Sequence, residues 1–447
     1  MLRLALTLLA LTLTTSACAG RAAAAGRAPP ASAWRIDPYP LSDHFDAGEL
    51  GRWKEHRRRH RRVNMLALVL DLATYLLLLG APGRALFGLA GRLARPIQGP
   101  AASRTGRLDR LMQRVLGQDW MAALIFAYLY FALGVVLDLP LSIWHETIAR
   151  DAGLSTYTAS RWIGDFFKAL FVSSILFTLL VVGLYGLIRR YPRRFWLVLA
   201  LPVALGTVGS TLLAPYGPRL YHQITPIEQT RFADAKRAQR LRRLASAGAD
   251  LRLEQIKVVD TSLRSRMLGA YITGLGPTRE LVLSDTLLEL ATLDELEVVV
   301  AHELGHVRKG SPLLMTALTA LALVGLLALF AVVLRVGARV LHLDGPADMR
   351  TLPLLGLCAL LLFNLALPLR NARSRTRERE ADRFALTLTQ KPDAFISLQV
   401  KLARRNREDV RPSRWIELWL FGHPPTAERI GMARWYRRWL STPGRAQ

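Results

Sequence analysis

His302 and His306 stand four residues apart in the string Ala301-His302-Glu303-Leu304-Gly305-His306. On a helix that spacing puts two imidazoles on one face, where both can bind a single ion. Glu303, beside them, is placed to take a proton from a water that the ion activates. Zinc held this way needs a third protein ligand and an open position. The natural source is Ser374-Arg375-Thr376-Arg377-Glu378-Arg379-Glu380-Ala381-Asp382, in which Glu378 and Asp382 again share a helical face. One carboxylate can bind the metal while the other accepts a ring N–H from a ligand histidine and fixes its tautomer. Glu380 competes with Glu378 on charge alone, and the spacing to Asp382 favours Glu378. The bland alternative is a surface helix laced with Arg–Glu pairs, given Arg375, Arg377, Arg379 and Arg383.

These residues need rigid elements under them. Thr292 and Glu295 form a capping box, predicting a helix that runs to Lys309 and stops at Gly310. Upstream, apolar residues at helical spacing predict an amphipathic helix over Thr225–Ala247, and Ile256–Val259 reads as a strand. Ala270–Leu275 and Glu280–Leu283 flank Gly276-Pro277-Thr278, the layout of a hairpin. An exposed hairpin edge accepts a peptide as an added strand, in register through main-chain hydrogen bonds.

The chain around this site is built for a bilayer. Of 447 residues, 51% are hydrophobic, and they gather in long uncharged runs. Ala169–Ile188, Phe195–Pro218, Ser311–Leu334 and Thr351–Leu369 carry no charge; Trp120–Trp144 carries only Asp138, and the shorter Met65–Ala81 carries Asp71. The expected fold is mainly α: a polytopic helical membrane protein with a small α+β zincin-type catalytic domain built from two polar blocks. Residues 1–18 form a signal or lipoprotein-like segment ending at Cys18, or a first membrane anchor. Residues 19–64 form a tether and a basic juxtamembrane stretch, with seven Lys/Arg in Arg52–Arg62. Residues 65–218 hold about four spans, 219–310 the first catalytic part, 311–369 two spans, and 370–447 the second catalytic part.

Composition also excludes some classes. Disorder is incompatible with so many apolar residues. Two cysteines, Cys18 and Cys358, rule out a disulfide scaffold or a Cys-rich zinc site. The net charge of +26 is scattered among loops, where it meets anionic lipid headgroups rather than nucleic acid. Because Arg is abundant on both sides of the spans, the rule that places Lys/Arg in the cytoplasm leaves the orientation open.

Several ordered strings resemble type I CAAX prenyl proteases and their bacterial relatives, membrane-embedded zinc metalloproteases of the gluzincin clan. They are LPLSIWHETIARDAGLS (139–155), AYITGLGPTRELVLSDTLL (270–288), AHELGH (301–306), NARSRTREREAD (371–382) and HPPTAERI (423–430). The resemblance implies one Zn2+ per chain on His302, His306 and Glu378, with Glu303 as general base and acid and Asp382 as the carboxylate behind a ligand histidine. It further implies His423 near the scissile carbonyl, with Arg429 supporting the site. Gly269, Ala270 and Tyr271 stand where relatives carry Asn-Ala-Tyr, which the resemblance implies is a substrate-binding stretch; Gly269 in place of that Asn removes a side-chain donor to the substrate backbone. The expected activity is zinc endopeptidase cleavage of peptide or protein substrates, lipidated or membrane-bound, in a bacterial inner membrane. The rival class is a non-enzymatic metal-binding membrane protein, a transporter or assembly factor, and it predicts ionisable residues at mid-span rather than at span ends.

Overall fold

The structure is a computed structural model that describes residues 28–98, 106–117, 119–213, 216–249, 255–274, 279–308 and 312–442. The leader with Cys18, the turn Gly276-Pro277-Thr278 and the expected helix stop at Lys309-Gly310 lie outside the described residues.

Among the described residues the first α-helices in chain order are α1 Ala47–Leu79, α2 Ala81–Gln98, α3 Arg107–Leu116, α4 Trp120–Asp151, α5 Ala159–Arg190 and α6 Phe195–Leu213. Asp46 starts α1 with a capping box, its side chain accepting from Gly48 and Glu49 N–H while the Glu49 carboxylate accepts from Asp46 N–H. The expected span Met65–Ala81 is therefore the apolar half of a longer helix. Two further long helices follow the catalytic motif, α10 Pro312–Val340 and α11 Leu352–Thr389. Among the described residues, five helices are long and apolar enough to cross a membrane: α1, α4, α5, α10 through Thr319–Val340, and α11. Phe195–Ser210 in α6 is apolar but shorter. Helices suit lipid because every interior N–H and C=O is satisfied within the segment.

Between these groups lie β1 Ile224–Pro226, α7 Ala235–Ala249, β2 Gln255–Val259, β3 Ala270–Thr273, β4 Glu280–Ser284, α8 Asp285–Leu290 and α9 Leu293–Arg308. After α11 come α12 Pro392–Asn406, α13 Arg414–Leu420 and α14 Thr426–Ser441. The helix expected over Thr225–Ala247 starts later. Pro226 belongs to β1, since the residue before a proline disfavours helical backbone, and Asp234 caps α7 by accepting from Arg237 N–H at 3.0 Å.

The sheet order is β1-β2-β4-β3. β2 and β4 run parallel with Ile256 opposite Leu281, and β3 is antiparallel to β4 with Ala270 opposite Leu283. That leaves β3 at an edge. One core joins Ile256, Leu281, Leu283, Leu296, Ala301 and Leu304 to Ala385, Phe395, Ile430 and Tyr436. Trp34, Tyr39, Phe45 and Trp53 belong to the same core. From Trp34 onward the stretch before α1 is thus packed into this core: Trp34 stacks on Tyr436 at 5.4 Å between ring centroids.

Candidate metal centre

Helix α9 is fixed at its start before it delivers any ligand. Thr292 N–H donates to Glu295 Oε2 at 2.7 Å, and Glu295 N–H donates to Thr292 Oγ1 at 3.3 Å. The same carboxylate accepts from Ser397 Oγ at 2.7 Å and Lys401 Nζ at 2.8 Å, tying α9 to α12. Burial acts first to raise the Glu295 carboxyl, but these donors outweigh it and hold it below the usual range. Leu296, Val300, Ala301 and Leu304 fill the core, which turns His302, Glu303 and His306 toward α11 and the cavity.

Close approach of the two helices depends on Gly305. A Cβ built there would meet Ala381 Cα at 2.9 Å and Ala381 Cβ at 3.2 Å. Two small residues, one in each motif, let the backbones touch. Neither stands out from the sequence as functional, and the only signal is their size beside the chemical residues.

Across this contact, His302 Nε2 lies 3.2 Å from Glu378 Oε2 and His306 Nε2 lies 3.3 Å from Glu378 Oε1. Among the described residues, His302, His306 and Glu378 form a group whose ligand atoms all lie within 4.8 Å of one another. The separations decide what the group suits. Charge-assisted hydrogen bonds settle at about 2.7–2.9 Å, whereas ligands about 2.0–2.1 Å from one tetrahedral ion stand about 3.3 Å apart. The donor set fits a metal. Glu378, expected on spacing, joins the histidines; Glu380 is not part of the group.

Behind it, His302 Nδ1 lies 2.9 Å from Asp382 Oδ1. Asp382 is fully buried and accepts from Arg429 Nε at 2.8 Å and Nη2 at 2.5 Å. Arg429 thus acts on Asp382. Burial by itself would discharge His302, but Asp382 and Glu378, one at each ring nitrogen, lift its pKa to about 10. That is an environment suited to a cation. Burial pushes the Glu303 carboxyl upward and Glu378 adds to it, against the opposing pull of the imidazoles.

His302, Glu303, His423 and Arg429 line a cavity of about 400 Å³, walled by Leu268, Leu287, Val298, Leu398 and Leu402. His423 is exposed at its rim, with Nδ1 2.8 Å from Glu378 Oε2. Of the three substrate-binding candidates, Gly269 and Ala270 border the cavity, while Tyr271 is not among its lining residues. Gly269 already uses its backbone on Ser284, donating to Oγ at 3.1 Å and accepting from Ser284 N–H at 2.9 Å. The segment leading into edge strand β3 is tied to the connection between α4 and α5 and to α5 itself. Thr156 N–H donates to Arg264 C=O at 3.1 Å, Arg266 N–H to Leu154 C=O at 2.8 Å, and Arg264 Nε to Asp165 at 2.8 Å.

Two family models match successive parts of the chain: one described as CAAX prenyl protease N-terminal, five membrane helices, over residues 35–217, and peptidase family M48 over 232–436. The chain is 28% identical over 334 residues to CAAX prenyl protease 1 of Saccharomyces cerevisiae, covering 69% of this chain and 71% of the relative. It is 27% identical over 314 residues to the Bacillus subtilis metalloprotease YhfN, covering 68% and 71%. The crystal structure of S. mikatae Ste24p shares the fold with a TM-score of 0.72 at 21% identity, covering 89% of this chain and 91% of that one. With a membrane-helix half and a peptidase half that contains the metal-competent cluster, the chain belongs to the type I CAAX prenyl protease family and is an integral-membrane metalloprotease.

Proposed function

We propose that the protein is a zinc endopeptidase in which His302, His306 and Glu378 hold the ion and Glu303 is the general base and acid. The observation that carries this reading is the convergence of the three ligand atoms within 4.8 Å beside a cavity that Glu303 also lines. Two imidazoles and one carboxylate with an open side suit zinc better than the harder cations, which prefer all-oxygen shells. Zinc, when bound, polarises the scissile carbonyl and acidifies a water near neutral pH.

The remaining steps belong to the chain's own residues. Glu303 takes a proton from the attacking water and returns it to the leaving amine. Asp382 Oδ1, 2.9 Å from His302 Nδ1, is placed to accept a hydrogen bond from Nδ1–H, which leaves the Nε2 lone pair for the ion, and Arg429 holds Asp382 in place. His423, at the cavity rim, donates to the oxygen that becomes negative as the carbonyl carbon is attacked. A peptide lies against β3 as an added strand, and the leucine and valine wall accepts apolar side chains. The substrates are peptide or protein segments presented at the bilayer, of which the prenylated C-termini implied by the relatives' name are one class. Replacing Glu303 by Gln tests the assignment. Zinc content is expected to stay at the wild-type level while peptide turnover drops by about 10²–10⁴-fold; turnover that survives would remove Glu303 from the reaction.

A further inference from the structure

Helix α13 is seven residues long, so most of its C-terminal carbonyls have no partner within the helix. They are met by α11. Asn371 Nδ2 donates to Trp419 C=O at 2.7 Å. Arg375 Nη1 donates to Glu417 C=O at 2.9 Å and to Phe421 C=O at 2.7 Å, and its Nε lies 3.3 Å from Glu417 Oε1. Both side chains are buried, and a guanidinium at the negative end of a helix is electrostatically favoured. The next residue, Gly422, packs at Ser374, whose Oγ lies 3.6 Å from the place of a Cβ. The chain then reaches His423, 2.8 Å from Glu378.

Asn371, Arg375, Glu378 and Asp382 follow one another along α11 at intervals of four, three and four, so one helical face carries all of them. The rod that delivers Glu378 therefore also grips the segment that presents His423. We propose that Asn371 and Arg375 are positioning residues for peptide hydrolysis, setting the place of His423 relative to Glu378 by clamping the C-terminal end of α13. This rests on the role given to His423 above. A surface arginine in a charge-laced helix would have only solvent or a carboxylate as its partner; Arg375 is buried and, besides the Glu417 carboxylate, donates to two main-chain carbonyls.

A double-substitution cycle on the full chain in detergent tests this, read as kcat and KM on a peptide beside zinc content and Tm. Arg375→Met is expected to lower kcat about 10-fold or more, with KM and zinc nearly unchanged. Added to His423→Ala, the same change is expected to cost less than about 2-fold further, because the group it positions is already gone. Arg375→Lys keeps a cation near the carbonyls but loses the planar guanidinium and its Nε contact with Glu417, so it restores only part of kcat. Asn371→Ala removes one bond, follows the same pattern on a smaller scale, and serves in place of Arg375→Met should that variant fold poorly. A penalty undiminished in the His423→Ala background, or a loss of zinc and Tm in step with kcat, would overturn the proposal. Wild-type kcat in His423→Ala alone would instead overturn the role of His423, and the positioning role with it.

Discussion

Asp382 shows how much of the site lies behind the ligands. Its oxygens face His302 on one side and Arg429 on the other, with no exposed surface. Asp382→Asn keeps the shape but gives Arg429 a neutral partner and weakens the hold on His302. Zinc affinity is expected to fall about 10–100-fold, measured by competition with a chelator. At this scale the histidines were legible because helical spacing is local, and Glu378 was separated from Glu380 by its distance to Asp382. His423 needed the family resemblance: a histidine before two prolines looks like a turn until α11 places it beside Glu378. Arg375 figured only in the alternative of a charge-laced surface helix, because its main-chain partners are carbonyls at the end of α13, which no spacing along α11 reveals.

Helices α9 and α11 carry the site only as well as they pack. Gly305→Val would drive a side chain into Ala381, and a displacement of about 1 Å at a reacting centre can cost about 10²-fold in rate. We expect that loss together with reduced zinc content, measured on the same preparation. The start of α9 gives a pH dependence. The Glu295 carboxyl is held below its ordinary value, so its contribution is complete above the unfolded pKa of about 4.3 and is lost as pH falls through the lower folded value. Glu295→Gln should cost about 1–3 kcal/mol at neutral pH and give a shallower acid decline in Tm. An unchanged acid profile would deny Glu295 that role. The capping box was readable because it is local, whereas the start of α7 was misplaced because Ile224–Pro226 is recruited into the sheet by β2.

Over the whole molecule, long uncharged runs revealed the spans, and composition pointed to a membrane. The role of Trp34, Tyr39, Phe45 and Trp53 was not visible: they follow no helical or strand period, and their partners include Trp435 and Tyr436 near the other end of the chain. The core around the site therefore joins three stretches, before, between and after the long apolar helices, and the metal-competent cluster lies where α9 meets α11. The most direct measurement is metal analysis of the purified wild-type chain beside Glu378→Ala. One zinc per chain in the wild type and a large loss in the variant is the expected result. Undiminished zinc in Glu378→Ala would contradict a centre shared between these two helices.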